Sequence, residues 1–262
     1  MKPSRWGAWL AVALAVVYFL TPLVATLEFS LRMRRGTYSL DAYREVFADP
    51  LFQASFAYSM AMAMLTIVVG ALLVVPTAFW VHWKLPRWRP VIEFVTLLPL
   101  VIPAIVLVFG YLRLFNSSAW LPLTDTDLGT NTLLVMSYVT LTLPYMYRSV
   151  DNGLQAMDIK ALTEAAQVLG AGRGVILWRV ILPNLRSAML SGAFLTFAIV
   201  MGEFTMASLL NRPAFGPYLQ LMGANRAYEP AALAILAFAL TWACMGLINL
   251  LGRRSAATPS PS

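Results

Sequence analysis

Histidine and cysteine occur once each in these 262 residues, at His82 and Cys244. One cysteine closes no disulfide within a chain, and one residue of each kind cannot assemble a cysteine or histidine metal site. Charge is scarce too: 12% of residues are Asp, Glu, Lys or Arg, where soluble domains carry about 25%. No carboxylate pair falls on facing apolar segments, so a catalytic set is lacking. The chain is therefore expected not to be an enzyme, and to need no cofactor and no metal. Its formal net charge of +7 forms no nucleic-acid patch, because the basic residues flank apolar runs.

What the sequence has in quantity is apolar surface, at 60% of residues. About 20 apolar residues cross a bilayer core, and six runs qualify: 7–31, 55–81, 91–114, 130–147, 188–210 and 231–251. The first follows Lys2 and Arg5, but it exceeds the ~7–15 residues of a signal-peptide core and reads as an uncleaved span. Pro76, Pro99, Pro103 and Pro144 mark expected bends in the second, third and fourth runs. With the N-terminus inside, the inside segments hold twelve of the 19 Lys and Arg residues and the outside segments seven. That bias orients both termini to the cytoplasm, against the one clear violation, "RMRR" at 32–35. The expected fold is an all-α integral membrane protein of six transmembrane helices. One domain covers 1–252, and "RRSAATPSPS" at 253–262 reads as a disordered cytoplasmic tail. "WKLPRWRP", with Trp83 and Trp88 among basic residues, reads as an interfacial anchor in membrane lipid.

The longest inside loop, 148–187, contains "EAAQVLGAGRGVILWRVILP" at 164–183. "DIKALTEAAQVLG" predicts a short helix capped by Asp158 and ended at a left-handed Gly170. Ile159, Leu162, Ala166 and Leu169 share one face at helical spacing, and Lys160, Thr163, Glu164 and Gln167 the other. "GAGRG" then allows a sharp turn into a second helix, "VILWRVIL", ending at Pro183. The glycines lack the G-x-x-x-x-G-K-[ST] pattern and no strand precedes them, so this chain itself is not expected to bind ATP. From physics alone the segment reads equally well as an amphipathic linker on the membrane or as a knob for a partner's groove.

The spacing resembles that of permease subunits of binding-protein-dependent ABC importers. These carry Glu-Ala-Ala, three residues, Gly, nine residues and Ile-x-Leu-Pro before the penultimate span. Here the pattern falls on Glu164, Ala165, Ala166, Gly170, Leu182 and Pro183, with Val180 in place of the first Ile. "YSLDAYREVFADPLFQASFAYS", "LLPLVIPAIVLVFGY", "LPYMYRSVDNGLQAMD" and "MGEFTMASLL" resemble the polyamine, ferric-iron and thiamine branch. The resemblance implies a helix-turn-helix coupling loop between spans four and five that docks on a cytoplasmic ATPase. Glu164 would offer a charge to a basic groove and Ala165 and Ala166 close approach. It further implies two ATPase copies, a second permease subunit (different, or a copy of this chain), an extracytoplasmic substrate-binding protein and a bacterial inner membrane.

Glu203 is the notable charge at membrane depth, 16 residues past Ser187, or roughly 24 Å of helix. A carboxylate there costs on the order of 2.5–3.5 kcal/mol, so it is expected to face a cavity or a partner. It is the candidate translocation-path residue for a small cation; the structural reading pairs it with Arg113 or Arg212. The competing function is a secondary transporter or channel using Glu203, which would call for further buried charges and repeat symmetry. Asp125 and Asp127 read as a solvated outer loop, and Glu28 and Glu93 as interfacial.

Overall fold

The computed structural model describes residues 5–256, and every regular element among them is helical. In chain order these are α1 (Arg5–Leu31), α2 (Asp41–Ala48), α3 (Pro50–Lys84), α4 (Arg89–Val101), α5 (Ala104–Leu114) and α6 (Asp127–Gln155). They continue as α7 (Ile159–Val168), α8 (Arg173–Asn184), α9 (Arg186–Gly202), α10 (Thr205–Leu209), α11 (Phe215–Asn225) and α12 (Glu229–Ala256). The sequence-expected tail starts inside α12, and residues 257–262 lie outside the described residues.

Two helices, α1 and α3, are each long and apolar enough to cross a membrane. Two more candidates arise only as bent pairs: the α4 segment with α5, at 99°, and α8 with α9, at 75°. The third expected span, 91–114, is therefore no straight rod. Pro103 has no N–H and disfavours helix at Ile102, which is extended (ψ 120°), and the chain breaks there. Pro76 and Pro144, by contrast, sit within the continuous α3 and α6. The hydroxyls of the fourth run are returned to the helix. Ser137, Thr140 and Thr142 donate to the carbonyls of Leu133, Met136 and Tyr138, at 2.8 Å each. The fifth run also departs from expectation: α9 stops at Gly202 and a separate turn, α10, follows.

The chain divides into two compact units. One comprises the residues through Ser55 together with Tyr218–Ala243. Its small interior gathers Ala42 and Val46 of α2 with Phe52, and Tyr218 donates to Asp49 at 2.9 Å. In α1 only the last turn is held: Ser30 is buried and shares a 2.8 Å hydrogen bond with Tyr43.

The other unit comprises Phe56–Pro217 and the chain from Cys244 onward. Here α6 carries two cores, one toward each end. Leu133, Leu134 and Tyr138 pack with Val108 of α5, Val200 of α9 and Met206 and Ala207 of α10. Met146, Val150 and Leu154 pack with Val75 and Phe79 of α3, Ile159 and Ala166 of α7, and Ile176 and Ile181 of α8. Two glycines bring α6 and α9 into close contact. A Cβ on Gly153 would lie 2.6 Å from that of Ala188, and one on Gly192 would lie 2.7 Å from Met146 Sδ. Small residues at a crossing let helices approach where lipid offers no hydrophobic drive.

Candidate functional site

In the loop between α6 and α9, α7 has the two ends that the sequence predicts. Ala161 N–H donates to Asp158 Oδ1 at 3.0 Å, which satisfies a donor of the first turn. At the other end Gly170 sits at φ +80°, its N–H donating to Gln167 O and that of Ala171 to Ala166 O, both at 2.9 Å. This pair of bonds is the Schellman closure, which a glycine in the left-handed region completes without a Cβ penalty. Helix α7 is thus a short body defined at both ends.

Its faces differ in part from the periodicity reading. Ile159 and Ala166 are buried, and so is Thr163 between them, because its hydroxyl donates to Ile159 O at 2.7 Å. A threonine that returns its hydroxyl to its own helix can be buried without an unpaired donor. Leu169 is 87% exposed and Val168 88% exposed. The helix ends at Val168, so Leu169 has left the 3.6-residue register before the chain turns. Ala166 therefore makes its close approach within its own chain, whereas Glu164 and Ala165 face outward.

After Gly172 the chain turns into α8, whose middle, Ile176–Ile181, is a wide π turn. Such turns often accompany functional sites. Ile176 and Ile181 plug into the core that also holds Ile159 and Ala166. Arg173 lies over the Trp80 ring at 5.7 Å. Leu182 and Pro183 close the motif and, with Trp178, Arg186 and Met189, line an apolar cleft of about 440 Å³. The motif is thus split between an outward part, Glu164, Ala165 and Gly170, and an anchor, Ala166 with Val180 to Leu182.

Glu203 is placed otherwise than expected. It occupies the break after α9, with extended backbone (ψ 128°), not a helix interior. Its carboxylate is buried and accepts from Met206 N–H at 2.9 and 3.1 Å and from Ala207 N–H at 3.2 Å. Neither suggested arginine takes it: Arg212 donates to Asp127 at 2.8 Å and Asn131 at 3.2 Å, and no Arg113–Glu203 pair occurs among the described residues. Asp127 stays 88% exposed while it pairs with Arg212, in keeping with a solvated position.

A buried polar cluster escaped the sequence reading. Asp151 of α6 is 6% exposed and receives His82 of α3, Arg89 of α4 and its own neighbour Gln155. Arg89 also binds Glu93 at 2.9 Å, and Glu93 stays partly exposed, as an interfacial residue would. The legible signal was an acid near the C-terminal end of a helix, where the macrodipole disfavours it.

The chain is similar to known proteins. The model of a family described as "Binding-protein-dependent transport system inner membrane component" matches residues 75–255. The spermidine/putrescine transport system permease protein PotB of Escherichia coli (strain K12) is 28% identical over 185 residues, 66% of this chain and 66% of its own length. A probable molybdenum ABC transporter permease protein of Haloferax volcanii is 29% identical over 213 residues, 80% of this chain and 76% of its own. A solved bacterial ABC transporter involved in the import of the acidic polysaccharide alginate superposes with a TM-score of 0.73 at 13% identity, covering 95% of this chain and 94% of that one. That likeness shows a shared fold. With the capped α7, the plugged α8 and a family match over 75–255, the chain belongs to the inner membrane components of binding-protein-dependent transport systems and is related to polyamine-transport permeases.

Proposed function

We propose that this chain is the permease subunit that forms half of the substrate path of an ATP-driven importer in the bacterial inner membrane. Two cytoplasmic ATPase subunits, a second permease and an extracytoplasmic binding protein complete the machine. Both termini lie in the cytoplasm, six spans cross the bilayer, and α7 with α8 is the cytoplasmic coupling loop. The observation that carries this reading is the tip of α7. Glu164, Ala165, Val168 and Leu169 are exposed on a helix capped at both ends, while Ile159 and Ala166 tie that helix to the core. Two bulky apolar side chains in water beside a lone carboxylate suit a partner's groove, the apolar pair filling it and Glu164 meeting a cation. Leu182 and Pro183 anchor the other end of the loop.

A small polycation such as spermidine is the substrate that the PotB relative supports. Secondary transport through Glu203 draws no support from its surroundings, because Met206 and Ala207 already occupy the carboxylate.

The test is mass spectrometry of what co-purifies with the tagged chain from native membranes in mild detergent, with spermidine uptake measured alongside. Glu164→Lys and Leu169→Asp are expected to release an ATPase subunit without lowering the yield of folded chain. If no ATPase accompanies the wild-type chain and uptake persists without ATP, the chain works alone and the reading fails.

A further inference from the structure

The cytoplasmic end of α6 breaks a local rule. Asp151 stands one turn from the end of its helix, where the unpaired carbonyls already carry partial negative charge. It is also buried, and an ionised carboxylate is removed from water at a cost of several kcal/mol on the order of magnitude. Three donors from three helices meet that cost. His82 Nε2 of α3 lies 2.6 Å from Oδ1, Arg89 of α4 donates to Oδ2 at 3.0 Å, and Gln155 donates to Oδ2 at 2.6 Å.

The link from this point to α7 is short and bonded. Only residues 156–158 separate the helices, and Ala156 N–H donates to Asn152 O and Met157 N–H to Leu154 O, both at 3.2 Å. Leu154 and Ile159 then share one core. A displacement of α7 reaches the end of α6 through this link and reaches α3 and α8 through the shared core, and Asp151 is where the end of α6 is tied by charge to α3 and α4.

We propose that Asp151 is a positioning residue for coupling, the latch by which α6 and α7 move as one piece with α3 and α4. The proposal rests on α7 being the ATPase-facing helix. Apolar packing between the same helices keeps them adjacent but tolerates sliding; a carboxylate with three donors at 2.6–3.0 Å has one arrangement.

The experiment uses the complete importer in lipid nanodiscs, with Cys244→Ser and spin labels on Trp88→Cys and Ala161→Cys, two exposed positions on opposite sides of the latch. Pulsed electron paramagnetic resonance reads the distance between them without nucleotide and with ATP and vanadate. Wild type is expected to keep one narrow distance in both states. Asp151→Asn should lose it, broadening or splitting with ATP, although the ATPase subunits still co-purify. Because that variant leaves Arg89 without its buried partner, Asp151→Asn with Arg89→Gln is the control; it is expected to recover folded yield but not the narrow distance. A narrow distance in either variant, under both conditions, overturns the latch. If the wild-type chain brings down no ATPase, the functional reading has failed instead, and the latch is judged from the nucleotide-free width alone.

Discussion

Replacing Glu203 separates two roles that a carboxylate at this depth can have. As a cap, it serves the buried N–H groups of Met206 and Ala207 through three contacts of 2.9–3.2 Å. Glu203→Ala removes every acceptor at once, and each stranded buried donor costs about 1–3 kcal/mol, or roughly 2–6 kcal/mol for the two. Glu203→Gln keeps one oxygen. In the Oε2 position that oxygen reaches both donors, and what is lost is the charge assistance, about 1 kcal/mol per bond. The order of stability is therefore wild type, Gln, Ala, with Gln near the midpoint. Thermal unfolding in detergent followed by tryptophan fluorescence measures it, and spermidine uptake per folded chain runs in parallel. A capping residue predicts that uptake falls no faster than stability. If Glu203→Gln is as stable as wild type but transports nothing, the charge itself works in the path. If Glu203→Ala is equally stable, the capping argument is wrong.

Four other substitutions address the loop and its support. Asp158→Ala should fray the first turn of α7 by about 1 kcal/mol, seen as faster amide exchange at Ala161 with an unchanged global melting temperature. Gly170→Ala places a Cβ at φ +80° and should cost roughly 1–2 kcal/mol, whereas Gly172→Ala, at φ −72° with open space around it, should cost almost nothing by the same melt. Gly192→Leu drives a side chain into Met146 and Ser149 and should abolish folded chain in detergent chromatography, because a packed helix crossing cannot open to admit it.

In the loop between α6 and α9, the two ends of α7 were legible in the sequence. Its caps are local chemistry, since Asp158 and Gly170 act on atoms within a few residues of themselves. The burial of Thr163 and exposure of Leu169 were less so, because a periodicity rule counts Thr as polar and does not see a helix stop one residue early. The bend at Ile102 was marked by prolines, but nothing in the sequence told Pro103, which breaks its span, from Pro76 and Pro144, which do not. The position of Glu203 at a helix break was not legible for a related reason: no proline in the sequence separates α9 from α10 there. Asp151 gave least warning. Its donors come from residues 69 and 62 positions away, and one unaligned sequence carries no trace of such a meeting.

Helix α1 is apolar on every side and, apart from its final turn, is covered by almost nothing from its own chain. A segment in that position answers to the hydrocarbon around it or to a neighbouring subunit, not to a jigsaw of its own. Along most of its length Leu, Val, Phe and Ala become interchangeable as far as the described residues are concerned, and the last turn demands particular neighbours, Tyr43 for Ser30 and Tyr228 for Phe29. Such a helix is free to drift in sequence under weak constraint. In a family of permeases it is the part expected to diverge soonest, and the matched region, starting at residue 75, lies wholly beyond it.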